Sequence, residues 1–218
     1  MRVKQTRWER KADERPAALL QAALEVFSRQ GYRATRLEVV AEAAGVSKGT
    51  IYNYFKNKED LLERALEERV RILWEQTEAA LEGFQGTPPA RLRFILRRYW
   101  MRSQEKDWSR FHRLMLGEIA NELPDLFALW LEKATGRAWK ILEGIIAEGQ
   151  KSGDFRKDID ALATARFALS GIFHQAFLQA HIGAKKWGAF PPERLFESAL
   201  DLILAGLKPA KPSGKKHA

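Results

Sequence analysis

Residues 31–62, GYRATRLEVVAEAAGVSKGTIYNYFKNKEDLL, hold the pattern from which the rest of the chain is read. A short amphipathic run over about 36–44, with Thr35 as its cap and Val39, Val40, Ala43 and Ala44 as a small apolar face, stops at Gly45. Glycine enters the left-handed backbone region without a Cβ penalty, which suits a sharp turn between two helices. Val46 fills the corner, and Ser47 offers its hydroxyl as the cap of a second short helix, 48–55. In that helix Ile51 and Phe55 stand four residues apart, so one side is pinned to a core. The other side presents Lys48, Gly49, Thr50, Tyr52 and Asn53.

These residue types suit a nucleic-acid groove. Gly49 lets backbone approach closely, Thr50 fits a thymine methyl or a base edge, and Asn53 matches the paired donor and acceptor of adenine. Lys48 reaches guanine or a phosphate. Tyr52, Tyr54 and Lys58 suit phosphate oxygens, and Thr35 at a helix start offers a hydroxyl and an amide to another. Ser47 sits at the mouth of the reading helix and completes the set.

The run from Thr35 to Leu62 resembles the signature of the TetR family. The matching features are Thr35, Ala41, Ala44-Gly45-Val46-Ser47, Gly49-Thr50-Ile51-Tyr52, Tyr54-Phe55 and Lys58-Glu59 followed by leucines. Arg36 stands where a second Thr or Ser is common, and Tyr54 where His is frequent. Further along, Arg113-Leu114-Met115-Leu116-Gly117-Glu118 and Leu123-Pro124-Asp125-Leu126 resemble a pattern of the AcrR-like branch. The resemblance implies a homodimeric transcriptional regulator of double-stranded operator DNA, with a C-terminal domain that closes over a small-molecule effector.

Outward from the motif the chain reads as all-α. Apolar residues recur at three and four, and hairpin turns are absent. A helix over about 13–30, with Leu20, Ala23, Leu24 and Phe27 on one face, completes a three-helix helix-turn-helix domain at 13–56. Asn57 caps a helix to about residue 83, and further helices are expected at about 90–104, 108–121, 125–151, 159–182 and 192–207. The resemblance implies that residues 57–207 form a helical-bundle domain for effector binding and dimerisation. Residues 1–12 read as a basic arm that either reaches a minor groove or only solubilises, and residues 208–218 as a disordered basic tail.

Composition bounds the remaining functions. The net charge is +9, of which +4 lies in residues 1–12 and +4 from Lys208 onward, leaving +1 for the body. Charge alone therefore does not locate a DNA surface. With no cysteine, disulfides and thiolate metal sites are excluded; with no apolar span or leader pattern, a cytoplasmic protein off the membrane is expected. The four histidines make no metal-ligand spacing, and no phosphate loop or catalytic triad stands out, so neither a cofactor nor an enzyme is expected.

The C-terminal body is rich in aromatics that serve either as core or as the wall of an apolar cavity. Trp74, Trp100, Phe111, Trp139, Arg166, Phe167 and His174 are the candidates for an effector pocket, taking a small apolar or aromatic ligand. Small and apolar residues over 159–182 and 192–207 suit either an ordinary intrachain core or a four-helix contact between two copies, and the resemblance favours the latter. Two rivals stand beside a ligand-released repressor: an architectural DNA-binding protein of the same fold without a ligand, and an all-helical enzyme.

Overall fold

The computed structural model describes residues 7–182 and 191–209, with side chains over 16–179 and 191–209. Every regular element among them is helical: α1 Arg7–Gln30, α2 Leu37–Ala43, α3 Lys48–Tyr54, α4 Lys58–Glu82, α5 Pro88–Ser103, α6 Lys106–Leu114, α7 Ala120–Glu122, α8 Pro124–Leu131, α9 Arg137–Ser152, α10 Ala161–Ile182 and α11 Pro192–Leu207. Two π-helical turns, Met115–Ile119 and Glu132–Gly136, link α6 to α7 and α8 to α9. They interrupt what the sequence reads as two uninterrupted helices. Each holds a glycine, which weakens the preference for regular α-helix, but periodicity carries no mark of a single inserted residue.

The first helix begins at Arg7, so residues 7–12 are helical and do not belong to an extended arm. Arg, Glu, Lys and Ala are good helix formers, and the helix runs on through Pro16. Residues 1–6 of the expected arm and 210–218 of the expected tail lie outside the described residues. The buried stripe of α1 is Leu19, Ala22, Ala23, Val26 and Phe27, rotated from the expected one; Leu20 and Leu24 are only half-buried.

The chain forms two compact units. One comprises residues up to Gln76 together with Lys106–Lys133; the other comprises Thr77–Glu105 and Ala134 onward. The division does not follow the boundary expected after residue 56, because α6 packs on α1 while α2 packs on α1 and α3. In the first unit Phe27, Ile51, Leu61, Leu62 and Met115 are fully buried or nearly so. In the second, α5, α9, α10 and α11 pack around Leu92, Leu96, Leu142, Ile146 and Phe196. Gln150 donates to the carbonyls of Arg156 and Ile159 at 3.2 and 2.9 Å, and the Arg156 amide donates to Leu207 O at 2.9 Å.

Candidate nucleic-acid interface

Gly45 turns the chain at φ +67°, and the Ser47 hydroxyl accepts the Thr50 amide at 3.2 Å, capping α3. Ile51 and Phe55 are buried and fix the inner side of that helix. Its counterpart α2 buries Leu37, Val40 and Ala41; Ala43 is exposed and Val39 half-buried, so the packed face is rotated from the expected one and shares only Val40 with it. The spacing 37, 40, 41 is the three-and-four repeat of a seven-residue helix that starts at Leu37. Arg36 occupies the N-cap, with no side-chain cap bond.

With α3 held this way, Ser47, Lys48, Gly49, Tyr52 and Asn53 are exposed together. Thr50 is half-buried, its hydroxyl 2.8 Å from that of Ser47. Tyr54 is half-buried, with its ring tilted against Phe55. The other two candidates stand behind this surface. Thr35 is buried and donates its hydroxyl to Gly31 O at 2.6 Å, while Lys58 donates to Tyr32 O at 2.6 Å and Arg33 O at 3.3 Å. The Lys58 ammonium also lies 4.2 Å from the centre of the Tyr32 ring.

The loop that Lys58 grips is held on its other side by Glu118, which sits in the first π-turn. Its Oε2 accepts the amides of Tyr32 at 2.7 Å and Arg33 at 3.2 Å, and Glu122 pairs with the Arg33 guanidinium at 2.5 Å. Gly31 has φ +90°, and a Cβ there would collide with Glu118 Oε1. The positive φ is what calls for glycine, and a side chain there would also push the carboxylate off its two amides. Glu38 in α2 lies 2.6 Å from the Lys48 ammonium and accepts the Tyr52 hydroxyl at 3.2 Å. Neither glutamate has a role in the sequence reading. Glu118 stands in the quoted 113–118 pattern, but its partners are more than eighty residues away.

The effector candidates divide between the two units. In the first, Trp74 is buried with its indole N–H on Lys133 O at 3.3 Å, and Phe111 is buried edge-on to Trp130 beneath the Arg69 guanidinium. In the second, Trp100 is buried and stacked on Phe196, and Arg166 lies 4.3 Å from the centre of the half-buried Trp139 ring. The Trp139 indole N–H is buried without an acceptor among the described residues. Phe167 is 81% exposed and His174 is exposed, so on this chain both face outward from α10 and do not line an enclosed cavity. An open groove of about 820 Å³ in the second unit is lined by Phe84, Phe94, Phe155, Leu204, Arg93 and Arg97 among others, and none of the sequence candidates lies in its wall. Among the described residues no cluster of three potential metal ligands occurs, and no helix is long and apolar enough to cross a membrane.

Residues 19–65 match the family model described as bacterial regulatory proteins, tetR family. The chain is 25% identical over 87% of its length to the fatty acid metabolism regulator protein of Bacillus subtilis, covering 93% of that protein. It is 27% identical over 92% of its length to the HTH-type transcriptional repressor KstR2 of Mycolicibacterium smegmatis, again covering 93%. Among solved structures, the transcriptional regulator FadR from Bacillus subtilis in complex with stearoyl-CoA aligns over 88% of this chain and 98% of its own, at 26% identity and a TM-score of 0.66. All three are named as regulators. The capped reading helix with its polar outer side lies inside the stretch 19–65 that matches the tetR family model, on a fold shared with regulators of that kind over most of the chain.

Proposed function

We propose that this protein is a homodimeric repressor that holds a palindromic operator and releases it on binding an effector with a long apolar chain. The observation that carries the reading is the exposed side of α3, where Lys48, Gly49, Tyr52 and Asn53 stand clear of the core that Ile51 and Phe55 anchor. Lys48 and Tyr52 bind backbone phosphate, while Gly49, Thr50 and Asn53 meet base edges. A two-fold dimer sets two such helices into successive major grooves, so the half-sites lie about one duplex turn apart.

The surface offered to the second copy is the outer side of α10 and α11. Phe167 and Leu202 are 81% and 76% exposed, with Ser170, Gly171 and Gly206 also exposed beside them in sequence. Large apolar side chains at that exposure mark an association face.

The effector we infer is a long-chain acyl thioester. Its support is likeness: two of the matches span most of the chain, one named for fatty acid metabolism and one solved with stearoyl-CoA. The effector releases DNA by binding more tightly to a conformer whose two reading helices are wrongly spaced, and only that difference in affinity moves the equilibrium.

The test is footprinting of the purified protein on DNA flanking its own gene, with and without stearoyl-CoA. A protected inverted repeat that is lost on adding the thioester supports the whole proposal. Protection that persists at saturating thioester removes the acyl-CoA assignment, and protection of a single unrepeated half-site removes the dimer.

A further inference from the structure

Glu38 brings a carboxylate into the DNA-reading surface. It stands in the first turn of α2, half-buried, with Oε1 2.6 Å from the Lys48 ammonium. The same oxygen accepts the Tyr52 hydroxyl at 3.2 Å, and the ammonium lies 5.9 Å from the centre of the Tyr52 ring. An ammonium and a phenol converging on one anionic oxygen make the donor set that a DNA phosphate oxygen takes. In the free protein, then, a side chain of the protein itself fills the place of a phosphate. The hydrogen bond from Lys48 holds the Glu38 carboxyl far below its ordinary value, at about 2, so the group stays charged through the neutral range.

We propose that Glu38 is a specificity-determining residue, which competes with DNA phosphates for Lys48 and Tyr52 and so weakens sequence-independent binding. The proposal rests on the assignment of α3 as the reading helix. Sequence-independent affinity comes almost wholly from phosphate neutralisation and the release of counterions. A fixed carboxylate among the phosphate ligands subtracts from that term. Operator binding loses the same term but keeps the base-edge contacts of Gly49, Thr50 and Asn53, whereas sequence-independent binding has nothing else to hold it and falls below the protein concentration first. An exposed ion pair of this kind adds little to stability, so removing the charge leaves the fold in place.

The test uses the full chain and a short duplex of random sequence, titrated across a series of salt concentrations. Glu38→Gln keeps the shape and an acceptor for Tyr52 while removing the charge. Freeing Lys48 adds one phosphate contact, so the salt slope steepens by about 0.9 and affinity at 0.15 M salt rises about fivefold. Placed in a Lys48→Gln background, the same substitution no longer steepens the slope. In selection from a randomised duplex pool, Glu38→Gln enriches a consensus less per round than the wild type. Wild-type slope and affinity in Glu38→Gln, a steepening that survives Lys48→Gln, or undiminished enrichment each overturn the proposal. A wild-type protein that binds no duplex even at low salt overturns the reading of α3 itself, an outcome distinct from the other three.

Discussion

Lys58 looks from sequence like a phosphate ligand, yet its ammonium is spent on the carbonyls of Tyr32 and Arg33. A hydrogen bond from a charged donor contributes about 1.5–3 kcal/mol when its partners would otherwise go unmet. Lys58→Ala is therefore expected to lower the thermal midpoint of the protein with no DNA present, by several degrees. An unchanged midpoint together with weakened DNA binding would return Lys58 to the phosphate role. Asn53→Ala, by contrast, leaves the midpoint alone and relaxes preference at one base pair, while Tyr52→Ala weakens binding across sequences. Binding to a panel of single-base variants of the selected site separates the two patterns. The local residues of the reading helix were legible because Ile51 and Phe55 fix its inner side by spacing alone, which leaves Lys48, Tyr52 and Asn53 on the other. The partners of Lys58, Thr35 and Glu38 were not legible, since each depends on which atoms a folded loop or a neighbouring helix brings within reach.

At the level of elements, the loop between α1 and α2 is clasped by Lys58 on one side and by Glu118 on the other. Glu118→Ala removes the acceptor of two amides, and Glu118→Asp, one methylene shorter, is expected not to restore it. Both variants should speed hydrogen exchange at the Tyr32 and Arg33 amides well beyond any change within α2; exchange at wild-type rates would show that the loop holds without the carboxylate. The start of α4 gives a pH prediction. Asn57 Oδ1 accepts the Asp60 amide at 2.8 Å, and the Asp60 carboxylate accepts the Lys56 amide at 2.9 Å and Arg64 Nε at 2.8 Å. These bonds, the Lys56 amide foremost, hold the Asp60 carboxyl below its ordinary value. A depressed folded value stabilises above the unfolded one and is lost as pH falls through the folded one. The stability gap between wild type and Asp60→Asn should accordingly close as pH falls below the ordinary aspartate value of about 3.9, read from denaturation midpoints. The Asn57 cap could be read from sequence. The two π-turns could not, because one inserted residue leaves the apolar repeat almost intact.

For the molecule as a whole, the helical class and most helix positions follow from apolar spacing and from turn-formers such as Gly31 and Gly153, both at positive φ. The grouping of Lys106–Lys133 with the reading helices does not, for it depends on contacts between segments far apart in the chain. The same limit affects the aromatic candidates: Trp100 and Phe167 look alike in sequence, but one is stacked in a core and the other 81% exposed. Phe167→Glu combined with Leu202→Arg is expected to leave each chain folded, since neither side chain is buried, and to convert a dimer into a monomer by sedimentation equilibrium. Loss of the inverted-repeat footprint should accompany it. A double variant that still sediments as a dimer would place the contact elsewhere.

The bond from the Arg156 amide to Leu207 O joins two points some fifty residues apart, and between them Phe196 and Leu200 of α11 are buried, Phe196 stacked on Trp100. A backbone severed at any single position within that interval would therefore leave two pieces that still share one interior. Nicked protein should travel as a single particle through gel filtration and come apart only on a denaturing gel, and the two pieces, made separately and mixed, should reassemble.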